Sequence, residues 1–249
     1  MSVTKLRGLV LNERGKGEAD KLLTLFTLEQ GKANVYAKGA RKLKSSYFAG
    51  SSQFDYSDFV LFSGKDFYSV TQVDKVEGFK NITTDFDRLC YGNYFLEMVD
   101  KTTYPGEANP DILRLLLYAL RALDKGMADN FCIGRAFEFK YMQIYGYTPM
   151  VDTCSRCGGE LHKERIYFGF DGALCGDCLG SNSDAVKINY SALYAISYIL
   201  NSQIKDIFSF KLDEPTKKYL RMASQVFMAN LDVTLNGKKF IDDIESGGL

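Results

Sequence analysis

The opening third of the chain alternates apolar and polar positions; beyond Gly78 the apolar residues recur at helical spacing. Three short apolar runs at 6–11, 21–27 and 33–38 read as strands, the last two ended by Gly31 and Gly39. Residues 54–62 (FDYSDFVLF) and 67–76 (FYSVTQVDKV) alternate side by side as half-buried strands do, and the turn residues 63–66 make them a hairpin. Five strands without a long helix predict a small closed β-barrel of the OB type; a five-stranded SH3-like barrel would give the same pattern. Next come helices at 85–101 (Phe86, Leu89, Cys90, Tyr94, Met98), at 110 onward and at 129–145. The second opens on Asn109-Pro110, a cap followed by proline at the first helical position, and lines up Leu113, Leu116, Leu117, Leu120 and Leu123. The third puts Phe137, Tyr141 and Ile144 inward and stops at Gly146. Helices resume at 190–200 and 215–231, and 238–241 starts a last short element. The helices on either side of the 150–185 stretch are too few to bury their faces alone, so one bundle is expected.

That stretch carries the strongest local signal. Cys154-Ser155-Arg156-Cys157 and Cys175-Gly176-Asp177-Cys178 are two C-x-x-C pairs 17 residues apart, the spacing of a four-thiolate zinc site. Each pair sets two sulfurs on one tight turn, with Gly158, Gly159, Gly176 and Gly180 placed where such turns need them. Two disulfides or scattered core thiols are the alternatives. Cys90 and Cys132, each alone in an apolar helical pattern, read as small buried hydrophobes and argue against an oxidising compartment. With all four positions filled by sulfur, one Zn²⁺ per chain would be structural. The expected class is therefore α+β: an N-terminal five-stranded OB-type barrel at 1–80, then a helical bundle at 81–249 with a four-cysteine, zinc-ribbon-like insert at about 150–185.

Charge changes the picture locally. The net charge is zero, yet residues 1–80 carry 13 Lys/Arg against 9 Asp/Glu. No acid occurs between Glu29 and Asp55, and Lys32, Lys38, Arg41, Lys42 and Lys44 all fall in that gap. Four of these lie within seven residues around Gly39, which predicts a cationic loop between barrel strands, suited to phosphates. Outward-facing members of Tyr36, Tyr47, Phe48, Phe67 and Tyr68 would stack on unpaired bases. A solvated loop over core aromatics is the bland alternative.

Catalytic chemistry finds no support. The single histidine, His162, lies in a polar turn; there is no P-loop or dinucleotide fingerprint, and Asp242-Asp243 has no partner for a metal or acid/base site. No membrane span and no apolar signal-peptide core are present, so a cytoplasmic protein is expected.

Several segments resemble the family of the bacterial recombination mediator RecO: Gly8-Leu9-Val10-Leu11, Gly17-Glu18-Ala19-Asp20-Lys21-Leu22-Leu23-Thr24-Leu25-Phe26-Thr27, Ala37-Lys38-Gly39-Ala40-Arg41-Lys42, Phe137-Glu138-Phe139-Lys140, Gly146-Tyr147-Thr148-Pro149 and Cys154-x-x-Cys157-Gly158. They follow the family's order over nearly the whole chain. The resemblance implies an OB-fold and a helical domain with the zinc insert. It implies binding of single- and double-stranded DNA, annealing of complementary strands, and recombinase loading in a nucleoid-associated setting. It also implies RecR and the C-terminal tail of single-stranded-DNA-binding protein as partners. Lys38, Arg41 and Lys42 fall on the family's basic segment; Lys16 stands where many relatives have an aromatic residue, and could meet phosphate instead. The competing reading is a zinc-ribbon transcription or translation factor that contacts nucleic acid through its insert. The net acidity of that insert speaks against it.

Overall fold

The computed structural model describes residues 3–42, 45, 47, 49–63, 68–180 and 184–245. By contact, the chain divides into two compact units, 1–124 with 235–249, and 125–234.

The first unit is built on a closed barrel of β1 (Val3–Lys16), β2 (Asp20–Thr27), β3 (Gly31–Ala37), β4 (Asp55–Ser63) and β5 (Tyr68–Gly78), in the order β1-β2-β3-β5-β4. The OB expectation is met. The first strand is far longer than its apolar run suggests. Its first half pairs with β4 (Val3 opposite Phe62, Leu9 opposite Tyr56) and its second with β2 (Lys16 opposite Asp20), with a register shift between Val10 and Asn12. One strand thereby serves both neighbours, and β3 meets β5 in a short parallel contact that completes the closure. Alternate residues supply the interior, Leu23 and Leu25, Val35 and Ala37, Phe59 and Leu61, and a register shift between β4 and β5 brings in Val70 and Val73, three positions apart. The chain continues into a short 3-10 turn (Lys80–Thr84), α1 (Phe86–Thr102) and α2 (Pro110–Lys125), and the C-terminal α6 (Asn236–Glu245) belongs to this unit too. Asn109 caps α2 as expected, its Oδ1 accepting from the Ile112 amide at 3.1 Å. A bidentate pair, Arg121 to Glu77 at 2.6 and 2.9 Å, ties α2 to β5. The Tyr91 hydroxyl donates to Glu245 across α1 and α6.

The second unit packs α3 (Asn130–Tyr145), α4 (Tyr190–Asn201) and α5 (Glu214–Met228) with a small antiparallel sheet of β6 (Ile166–Gly169), β7 (Gly172–Cys175) and β8 (Val186–Ile188), ordered β7-β6-β8. By contact, α1, α2 and α6 group with the barrel, and α3, α4 and α5 with the small sheet. One reading from periodicity is corrected here: α3 has no single inward stripe, because residues 131–142 are all buried, while Ile144 is only half-buried. Full enclosure brings polar groups inside, so Arg135 pairs with Glu138 at 2.9 Å, and Glu138 also accepts from Ser224. Phe168 of β6 sits edge-on to Phe139 of α3 and Phe227 of α5, which stack on each other at 5.3 Å. The sheet is thus part of the unit's core.

Candidate nucleic-acid edge and metal centre

The basic segment follows β3 directly. Gly39 adopts φ +73°, a conformation that favours glycine, and this aims its amide at Asp20 Oδ1, 2.7 Å away. The other oxygen of Asp20 accepts from the Tyr36 hydroxyl. The Arg41 amide donates to the Ala19 carbonyl at 2.9 Å, and Arg41 Nη1 to the Gly17 carbonyl at 3.0 Å. These bonds strap the loop onto the β1–β2 turn. Lys38, Arg41 and Lys42 are exposed on it, with exposed Arg14 and Lys16 on the arm of β1 leading into that turn. Lys16 Nζ lies 5.1 Å from the Tyr36 ring centroid. Glu18 and Asp20 are the acids among them. The hydroxyl of Tyr36, and then the Gly39 amide, hold the Asp20 carboxyl below its usual range, helped by Lys38 and Lys42 and opposed by desolvation.

The structure separates the five predicted bases. Lys38, Arg41 and Lys42 share the edge. Lys32 is instead half-buried, donating to the Asp100 carboxylate at 3.1 Å and to the Asp100 carbonyl. Lys44 lies outside the described residues, as do Phe48, Phe67 and the expected hairpin turn at 64–66. Of the described aromatics, half-buried Tyr36 lies on the face of β3 opposite the core residues Val35 and Ala37, whereas Tyr47 and Tyr68 do not stand outward. Tyr47 and Tyr68 pack against the barrel core, with hydroxyls donating to the Thr71 carbonyl at 3.1 Å and Gln30 Oε1 at 3.3 Å. Arg14 escaped sequence reasoning: only the length of β1 brings it beside a loop some twenty-five residues away.

The four cysteines do come together. Their sulfurs all lie within 4.8 Å of one another, and the Sγ atoms of Cys157 and Cys175 are 3.9 Å apart. Tetrahedral bonds of about 2.3 Å set neighbouring sulfurs about 3.8 Å apart, so the donors fit a thiolate-bound ion. No disulfide joins any of the six cysteines. The turns are closed by backbone bonds, Gly158 N–H to the Cys154 carbonyl at 2.8 Å and Cys178 N–H to the Cys175 carbonyl at 3.1 Å. The Gly159 amide donates to Cys157 Sγ at 3.4 Å. Burial alone would push the Cys154 thiol up; the amides of Cys175, Cys157 and Arg156 outweigh it and draw it down to about 6. Cys178 is pushed up to about 12 by hydrogen bonds with Cys157 and Cys175. Four crowded sulfurs resist losing all their protons unless a cation sits among them. The exposed His162 is not in the cluster. Cys132 is buried as expected, whereas Cys90 is only half-buried.

Residues 1–79 match the family model described as Recombination protein O N terminal, and residues 83–230 match Recombination protein O C terminal. A protein named DNA repair protein RecO from Acetivibrio thermocellus is 36% identical over 92% of this chain and 91% of its own length. One of the same name from Alkaliphilus metalliredigens is also 36% identical, over 92% and 94%. A third, from Desulforamulus reducens, is 29% identical over 100% and 98%. With both halves matched in order along one polypeptide, the chain belongs to the Recombination protein O family.

Proposed function

We propose that this protein is a non-enzymatic DNA-binding factor of recombinational repair. In this reading it binds single- and double-stranded DNA through the barrel edge, anneals complementary strands, and helps load recombinase onto coated single strands. The observation that carries the reading is the strapped loop. It presents Lys38, Arg41 and Lys42 to solvent next to Arg14 and Lys16, while the loop is anchored largely by backbone amides, with one Arg41 Nη1 bond to the Gly17 carbonyl. Membership of the family supports the assignment to repair. Annealing needs no catalytic residue: two polyanions must be brought together with their repulsion screened and their bases left free. A row of cations on an exposed edge does this, releasing counterions from each phosphate it neutralises. The DNA-binding part is the 1–80 segment; the cysteine cluster holds one structural Zn²⁺ in the remainder. The partners are RecR and the C-terminal tail of single-stranded-DNA-binding protein, as the family implies, and the setting is the cytoplasmic nucleoid. Among the described residues no helix is long and apolar enough to cross a membrane.

Replacing Lys38, Arg41 and Lys42 together with alanine tests this. Affinity should fall for all sequences alike, and the slope of log K against log salt should become shallower by about 3. Unchanged affinity and slope would remove the edge from the DNA contact.

A further inference from the structure

A cleft of about 550 Å³ opens in the first unit between β1 and helices α1 and α6. Phe86, Leu89, Cys90 and Leu96 of α1, Phe240 of α6 and Arg14 of β1 all line it. Two of these apolar side chains are largely exposed, Phe86 at 61% and Phe240 at 56% accessible. Its two acids are already engaged. Glu97 accepts from Lys101 at 2.7 Å and from the amides of Asn236 and Gly237 at 2.9 and 2.6 Å. Asp100 accepts from Lys32 at 3.1 Å. An incoming anion therefore meets neutralised carboxylates. Arg14 belongs at once to this lining and to the arm of β1 that carries Lys16 to the basic edge.

We propose that this cleft seats unpaired nucleobases of single-stranded DNA, the backbone of which runs along the basic edge and enters past Arg14. The proposal rests on the DNA reading above and adds a strand preference to it. Its volume falls within the ~300–1,000 Å³ of small-ligand pockets, which leaves room for a splayed nucleotide. Apolar walls with accessible aromatic rings, and an exposed arginine, Arg14, in the lining, match a base with its phosphate. Every base has a π-face, so such a site tolerates sequence, while stacked and paired bases of a duplex cannot enter. The cations would thus serve both forms of DNA and the cleft only the unpaired one, holding bases apart until a complement displaces them.

The experiment compares the full chain with F86S/F240S, F86Y/F240Y and the K38A/R41A/K42A variant on fluorescein-labelled oligothymidine and on a duplex of equal length. Both phenylalanines are exposed, so unchanged melting of F86S/F240S is the control for folding. That variant should lose about tenfold or more in single-strand affinity while duplex affinity stays within about twofold, and F86Y/F240Y should regain most of the loss. Oligonucleotides carrying 5-iododeoxyuridine should photocrosslink to peptides containing Phe86 or Phe240. Equal losses on both DNAs, or no loss with adducts elsewhere, overturn the cleft. Should F86S/F240S bind DNA normally but lose an acidic peptide ligand, the cleft is a peptide groove and the proposal fails. If the lysine–arginine variant weakens both DNAs while the phenylalanine variant weakens neither, the edge stands and only the cleft falls.

Discussion

Gly172 shows how a single position governs the cysteine cluster from three residues away. It opens β7, with φ +117°, and a Cβ there would lie 2.2 Å from the Met150 carbonyl oxygen and 2.4 Å from its nitrogen. Backbone, which cannot swing aside as a side chain can, occupies that space. The strand it opens ends at Cys175, and next to it the Ala173 carbonyl accepts from Ser155, beside Cys154, at 2.8 Å. A methyl group at 172 therefore pushes the two C-x-x-C turns out of register. Gly172→Ala should cost about 3 kcal/mol or more and bring metal content below one ion per chain, as read by thermal melting and elemental analysis. Lys140 is another position where the fold decides the role. Its ammonium, on a fully enclosed stretch of α3, donates to the carbonyls of Leu200 and Ser202 at 2.8 and 2.9 Å, capping the end of α4. Nothing around residue 140 in the sequence foretells that, because its partners lie sixty residues on.

At the scale of elements, the cationic loop depends on a carboxylate in another strand. Asp20 receives both the Tyr36 hydroxyl and the Gly39 amide, and its folded pKa lies below the ordinary 3.8. A depressed carboxyl contributes stability that is present above the unfolded value and fades as pH falls through the lower folded one. The anchor should thus persist through the ordinary carboxylate range and release only below pH 3.8. The Gly39 amide shift in NMR spectra should titrate with a midpoint under that value, and Asp20→Asn should abolish the titration and speed exchange of that amide by about tenfold. A midpoint at or above 3.8 would mean the carboxylate is not held as described. Elements of this kind divide into legible and illegible by the range of their causes. The strands of the barrel, the Asn109 cap and the two C-x-x-C turns are set by neighbours a few residues away, and the sequence displays them. The long β1 is different: its polar second half, from Asn12 to Lys16, is extended because β2 pairs with it. The four-residue strands β6 and β7 are too short for alternation to register. Lys32 looked like a member of the basic group until the fold set Asp100 against it.

Over the whole molecule, the cysteine cluster and the basic edge belong to different compact units, and metal removal is the perturbation that should separate them. All four cluster cysteines lie within 125–234, and so do Phe139, Phe168 and Phe227, through which the small sheet joins its helices. If the cluster holds an ion as proposed, withdrawing it would leave four sulfurs that must take up protons and remove the link that closes the 154–178 segment. The loss then spreads through Phe168 into the α3–α5 core. The barrel has its own closed ladder and its own interior, and contains no cluster cysteine. A strong chelator should therefore lower the melting transition of the second unit by more than about 10 °C, since ~3 kcal/mol shifts a domain of this size by that much. Amides of β6 and β7 should lose protection first in hydrogen exchange, while those of β2, β3 and β4 keep theirs. DNA affinity at a temperature below the lowered transition should change little, because the edge is held by Asp20 and the β1–β2 turn alone. If the barrel amides lose protection in step with β6 and β7, the units share one cooperative core, and the metal would then govern the edge as well as the cluster.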